Sequence, residues 1–522
     1  MGSMKWTEDQ QRVIDARDSN ILVSAAAGSG KTAVLVERII QEVTDAEHPI
    51  DIDRLLVVTF TNAAAGEMRQ RVGKALEEAL VEHPGDKRLQ KQLSLLHNAQ
   101  ITTIDSFCQS IIRNYFHVID LDPVFRVADD TEIKLMKQEV LDEVLEECYQ
   151  RAEAEPETEE NRNFIAMIDA FSTGRDDSAA GNLVLDVHNM SQSAPWPEDW
   201  LNGIVGIYEK KTTDWITELQ GYVADMLEGY LAQARRTLEI CRQDGPEEYE
   251  PAIWSDIEQL EQCAAVSDYE DYAKYICGFQ KKKLASSKAE NKKIIQDMRK
   301  TYIDKGIRKL EEKYFREELQ GPYEQMAPAV KGLVQTTKLF EEAFSVRKRE
   351  DGVLDFNDME HFALQILVDH EQGDVPSAVA KELQEYYQEI MIDEYQDSSY
   401  IQEALLSSLS RAEQGQRPYL FMVGDVKQSI YRFRQARPEL FNGKYEAYGS
   451  DPEMGQRIDL HQNFRSREMV LESTNFLFEK IMQKCLGGIV YDEAASLVPG
   501  AVFPEDSHQD SRQNKGSGDP GG

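Results

Sequence analysis

The sequence predicts an α/β fold, a parallel sheet with helices on both faces, interrupted by a mainly helical insertion. Three observations carry this expectation. Short apolar runs alternate with helical stretches over residues 1–120, and strand-like runs return near residues 389 and 419. Between the first apolar run and the first helical stretch lies a small-residue turn, Ala25-Ala26-Ala27-Gly28-Ser29-Gly30-Lys31-Thr32.

The elements follow in order. Ile21-Leu22-Val23 reads as a strand, and Ala33 to Ile40 as helix. Arg54 to Phe60 is strand-like and leads into a helical run from Asn62 to about Val81. Ala99 to Ile104 could be a third strand, with helix from Ser106 to Phe116. Beyond Asp129 the texture changes. Met136, Val140, Val144 and Cys148 recur every four residues, the stripe of an amphipathic helix. Charged, Tyr-rich helical sequence continues to about Arg349, with a loop-rich interval from Ser172 to Asp199. Strand signals resume at Glu389 to Ile392, Tyr419 to Val423 and Arg457 to Leu460, and Glu468 to Cys485 is helical. The expected domains are 1–120 and 351–455 as two parts of one sheet domain, with 121–350 as the helical insertion. Residues 456–506 would start a second sheet domain, and the Gly/Ser/Gln/Asp-rich 507–522 would be disordered.

Composition narrows the class. The 522 residues exceed one core, and no apolar run approaches the ~20 residues of a membrane span. The N-terminus lacks the apolar stretch of a signal peptide. Six scattered cysteines without a C-x-x-C pair argue against a zinc or disulfide framework and suit a reducing cytoplasm. The net charge of −36 means that any nucleic-acid contact must be a local surface feature. A basic block from Lys281 to Lys309 reads first as a solvated helix face and only second as a DNA-backbone contact.

Strand, glycine turn and helix in that order are the context of a phosphate-binding loop. Glycines let backbone N–H groups close round an anion at a helix N-terminus. Lys31 would reach the terminal phosphates, and the Thr32 hydroxyl would ligate Mg²⁺. Ala25 stands where the usual pattern has glycine. The acidic pair Asp393-Glu394 ends a returning strand. Alone it would be an ordinary surface turn. Beside a phosphate loop, Asp393 suits the Mg²⁺ shell, and Glu394 suits proton removal from an attacking water.

The ordered motifs resemble superfamily 1 DNA helicases of the UvrD/RecB type. They are Trp6-Thr7-Glu8-Asp9-Gln10, the phosphate loop, Thr59 to Met68, Thr102 to Phe107, Asp393 to Asp397, Gly424 to Arg434 and Asn463 to Ser466. Within that family the likeness is to the AddA branch, helicase–nuclease subunits of bacterial AddAB recombination and double-strand-break repair complexes. The resemblance implies a RecA-like P-loop NTPase fold using ATP and Mg²⁺. It implies that Gln10 reads adenine, Phe464 stacks on it, and Ala25, Ala26, Ala27, Gly28, Ser29, Gly30, Lys31 and Thr32 hold the phosphates. It gives Gln428 the role of γ-phosphate sensor and Arg465 that of stabilising the transferring phosphoryl group. Single-strand contacts fall to Phe60, Thr61, Asn62, Thr103, Ser106, Tyr431, Phe433 and Arg434.

It further implies single- and double-stranded DNA as substrate, 3′–5′ movement and an AddB-like partner subunit, with no membrane. Asp105 departs from the histidine of many relatives, and Ala33 from the arginine of the UvrD branch. The later helicase motifs and a C-terminal nuclease signature have no counterpart here, so the resemblance predicts the N-terminal portion of such a protein. The alternatives are a stand-alone UvrD-type repair helicase and a nucleotide-binding subunit without catalysis.

Overall fold

The computed structural model describes residues 6–172, 176–209, 212–315, 320–482, 491–493, 495–501 and 503. The expected disordered tail and residues 483–485 of the last helical run lie outside the described residues. The chain divides into two units, Met1–Asp129 with Gly352–Gly522, and Asp130–Asp351.

The first unit is built on six parallel strands: β1 (Ile21–Ala25), β2 (Leu55–Thr59), β3 (Gln100–Thr103), β4 (Glu389–Ile392), β5 (Tyr419–Gly424) and β6 (Gln456–Leu460). Their order is β6-β1-β5-β4-β2-β3. β2, β4 and β5 are buried along their whole length. That is why they read as unbroken apolar runs rather than alternating ones. Helices supply the covering layers. α1 (Glu8–Asp15) precedes β1, α2 (Lys31–Thr44) buries Val34, Leu35, Ile39 and Val43, and α3 (Asn62–Glu82) buries Met68, Val72 and Leu76. Spacings of three and four residues put each set on one helical face. α4 (Ile104–Tyr115) starts two residues earlier than the sequence suggested, because Thr103 caps it by accepting the Ser106 N–H.

At the N-terminal end of the strands, Arg38 of α2 is only 1% exposed. Its guanidinium donates to Glu389 Oε1 at 2.5 Å and to the carbonyls of Val13 and Ala16, and lies 4.4 Å from the Phe421 ring centroid. A buried charge needs such partners, and these pin α2 to β4 and β5. β6 was expected to open a second domain at residue 456. It is instead an edge strand of this sheet, pairing Val23 with Ile458 and Ala25 with Leu460.

The second unit is helical, with helices that include Asp130–Ala154, Glu159–Phe171, Glu250–Ala264 and Lys292–Tyr302. The interval read as loop-rich, Ser172 to Asp199, contains the helix Ser178–Ser191. Its small residues Ala180 and Gly181 are buried, with a Cβ on Gly181 reaching within 3.3 Å of Leu141. Small side chains there mark close helix packing, not a loop. The basic block is also heterogeneous. Lys282, Lys283, Lys292 and Lys293 are exposed, whereas Arg299 is buried in a fork on Asp256, with Nε–Oδ2 2.6 Å and Nη2–Oδ1 2.9 Å.

Candidate functional site

Parallel strands end on one edge of their sheet, and ligand sites of such folds form there. That edge carries the loop after β1, Phe60 and Thr61 after β2, Asp393 and Glu394 after β4, Asp425 after β5 and Asn463 after β6. The loop after β1 turns through two left-handed glycines, Gly28 at φ 71° and Gly30 at φ 88°, and Gly30 caps α2. Ala25 is buried as the last residue of β1, and Ala26 N donates to Leu460 O at 2.9 Å. Ser29 is 1% exposed, and its Oγ has no hydrogen-bond partner. Lys31 and Thr32 open α2. Gln10 sits beneath the loop, donating from Nε2 to Ser29 O at 2.9 Å and accepting the Thr7 N–H at Oε1. In this structure it braces the loop while keeping one donor and one acceptor site for another group.

The loop is closed from above by the segment after β6. Asn463 Nδ2 donates to Ala27 O at 2.6 Å, and Phe464 N donates to Gly28 O at 2.9 Å. Asn463 Oδ1 accepts the Arg465 and Ser466 N–H groups. The Arg465 stem therefore stands over Gly28, where a glycine Cβ would lie 3.0 Å from Arg465 Cβ. Sequence reasoning named Phe464 and Arg465 as the active members and passed over Asn463. Its signal was there, as an amide side chain directly ahead of them.

Lys31 Nζ meets Glu394 Oε2 at 3.0 Å, joining the phosphate loop to the acidic pair. Glu394 adopts φ 53°, an uncommon left-handed conformation for a side-chain-bearing residue. Burial, with the Glu394 charge adding to it, pushes the Asp393 carboxyl up to about 6. A nearby cation favours the charged form of such a carboxylate. Gln428 is drawn to its own loop, with Nε2 donating to Asp425 Oδ2 at 2.8 Å. Gln396, which sequence reasoning did not single out, links that loop to Glu394.

The residues assigned to single-strand contacts fall into two groups. Phe60 and Tyr431 rings lie 4.7 Å apart, and Tyr431 and Phe433 rings 5.9 Å apart. Phe60 is 39% and Phe433 75% exposed, which excludes core packing for both. Thr61 and Thr103 instead cap α3 and α4 through their hydroxyls, while Asn62 and Ser106 are exposed in the first turns. The Arg434 side chain lies outside the described residues. A cavity of about 200 Å³ has Phe60, Thr61 and Asp105 on its wall together with Asp393, Glu394 and Asp397. Asp105 is turned into this cavity, and burial raises its carboxyl above the ordinary range.

These residues fit a magnesium–triphosphate group. The loop presents backbone N–H groups and the orphaned Ser29 hydroxyl, and Asp393 offers a carboxylate whose charge a cation would stabilise. Among the described residues, no group of three or more His, Cys, Asp or Glu is disposed to hold a metal ion, and no helix is long and apolar enough to cross a membrane.

Comparison with known proteins gives a consistent picture. The family model described as the UvrD/REP helicase N-terminal domain matches residues 6–449. An ATP-dependent helicase/nuclease subunit from Lachnoclostridium phytofermentans is 45% identical over 97% of this chain and 38% of its own length. Proteins of the same name from Clostridium beijerinckii and Thermoanaerobacter sp. are 40% and 42% identical, over 98% and 96% of this chain, each matched over 42% of its own length. The chain thus spans about two-fifths of the length of the curated relatives it matches.

Proposed function

The chain belongs to the UvrD/REP helicase N-terminal domain family, and from that premise we propose that it forms the ATP-binding and single-strand-gripping part of a DNA helicase motor. The observation that carries this reading is the shared cavity, which places the acidic pair and Phe60 on one wall. Events at the phosphates and events at the DNA face then act on the same few residues.

In this mechanism the loop from Ala25 to Gly30 orients the triphosphate with backbone N–H groups. Lys31 leaves Glu394 for the terminal phosphates, which carry more negative charge than one carboxylate. Mg²⁺ held by Thr32 and Asp393 would supply charge neutralisation at the phosphates. Glu394, freed from its ion pair, takes a proton from the attacking water. Arg465, with a fixed guanidinium fork over the loop, stabilises charge on the transferring group. Phe464 stacks on adenine and Gln10 reads its edge. Phe60, Tyr431 and Phe433 stack on successive bases, a contact of ~1–3 kcal/mol per base that tolerates any sequence.

The printed name of the relatives, which joins helicase and nuclease in one polypeptide, supports a wider proposal. The whole protein would move 3′–5′ on DNA in the cytoplasm, in double-strand-break repair, with an AddB-like partner subunit. We assign the nuclease activity to none of the residues described. Equilibrium binding of Mg·ATP and its turnover with oligo(dT) test the reading. Lys31→Ala should lose nucleotide affinity, while Glu394→Gln should keep affinity and lose turnover. Unchanged turnover in Glu394→Gln would overturn the assignment of the base.

A further inference from the structure

One buried side chain joins the turn after β4 to the end of β5. Gln396 is 1% exposed. Its Nε2 donates to Glu394 Oε2 at 2.9 Å and to Asp397 Oδ2 at 3.2 Å, and its Oε1 accepts the Asp425 N–H at 2.9 Å. Two further features show that the surroundings are shaped around it. Gly424 has no positive φ that would require glycine, yet a Cβ there would fall 2.5 Å from Gln396 Oε1 and 3.2 Å from its backbone nitrogen. The strand ends in glycine to admit the carboxamide. Glu394 holds a left-handed conformation that persists only when neighbours over-determine it. Lys31 and Gln396 both contact its Oε2.

We propose that Gln396 is a positioning residue, aiming the Glu394 carboxylate and tying that aim to the loop that carries Asp425 and Gln428. The inference rests on the reading of Glu394 as the base. The amide cannot flip, since one end faces an N–H donor and the other faces two carboxylates. Once Lys31 turns to phosphate, Gln396 is the donor that stays on Glu394 Oε2. A neutral donor orients the carboxylate without the stronger hold of a charged partner, which would lower its basicity. Because the same carboxamide holds the Asp425 N–H, a shift of the loop bearing Gln428 moves the base with it.

The test compares affinity for the transition-state mimic Mg·ADP–aluminium fluoride with affinity for Mg·ADP, so it does not depend on fast turnover. Gln396→Glu keeps the shape and removes the donor. Gly424→Ala displaces the carboxamide without altering it. Both should lower the ratio by about ten-fold or more, approaching the ratio of Glu394→Gln, with Mg·ADP affinity held within about two-fold. If Glu394→Gln keeps the wild-type ratio, the catalytic-base reading itself fails. If Glu394→Gln lowers the ratio while Gln396→Glu and Gly424→Ala do not, the positioning role is overturned and the base stands. Loss of Mg·ADP affinity in both variants would make Gln396 a residue of the fold and overturn the proposal as well.

Discussion

Asn463 Nδ2 donates to the Ala27 carbonyl at 2.6 Å, tying together residues 436 positions apart in the sequence. The contact makes the phosphate loop a two-sided structure: β1 feeds it from below, and the segment after β6 closes it from above. Asn463 is 2% exposed and also accepts two backbone N–H groups, so its amide is the pin of that closure.

Asn463→Leu should therefore unseat Phe464 and Arg465 together. A buried hydrogen-bonding group removed from its partners costs about 1–3 kcal/mol. The unfolding free energy from urea titration is expected to fall by that amount, with a parallel loss of Mg·ATP affinity. A stability loss with intact nucleotide affinity would confine Asn463 to the fold.

Gly28→Ala should be more selective. The position combines φ 71° with a Cβ that would sit 2.8 Å from Asn463 Nδ2. Strain of about 1–3 kcal/mol is expected there, concentrated on the loop. Isothermal titration should show nucleotide affinity falling at least as far as stability does.

The aromatic face predicts the opposite pattern. Phe433 is mostly exposed, so Phe433→Ala should leave stability within about 0.5 kcal/mol. Its loss should weaken oligo(dT) binding by about 1–3 kcal/mol. Fluorescence anisotropy with a labelled oligonucleotide reads this directly, and Tyr431→Ala should act in the same direction.

Much of this site was legible because its motifs are local. Gly-Lys-Thr after an apolar run and Asp-Glu after another each report their own strand end, and the parallel order places those ends together. Two features were not legible. Gln10 donates to the Ser29 carbonyl, a tertiary contact that no spacing reveals. The place of β6 beside β1 depends on pairing across more than four hundred residues, whereas a motif boundary in sequence suggested a new domain. The helix at Ser178–Ser191 was missed because Ala and Gly read as loop formers until Leu141 is seen against Gly181.

Glu360 makes stability depend on pH. Burial, with the Asp105 charge adding to it, pushes its carboxyl up to about 7, against the lowering effect of the Gln402 hydrogen bond. The folded chain then holds a proton between about pH 4.5 and 7 that the unfolded chain has released, so this residue's contribution declines as pH rises through that window. Glu360→Gln should remove the decline. Relative to wild type it should gain of order 1–3 kcal/mol at pH 8 and little at pH 5 in urea unfolding.

The central claim is that nucleotide and single-stranded DNA act on one connected set of residues. The direct measurement is the affinity of this chain for oligo(dT) with and without a non-hydrolysable Mg·ATP analogue. The account expects the analogue to change that affinity by about five-fold or more, reciprocally, and expects Lys31→Ala to abolish the change. An oligo(dT) affinity that is the same with and without saturating analogue would contradict it.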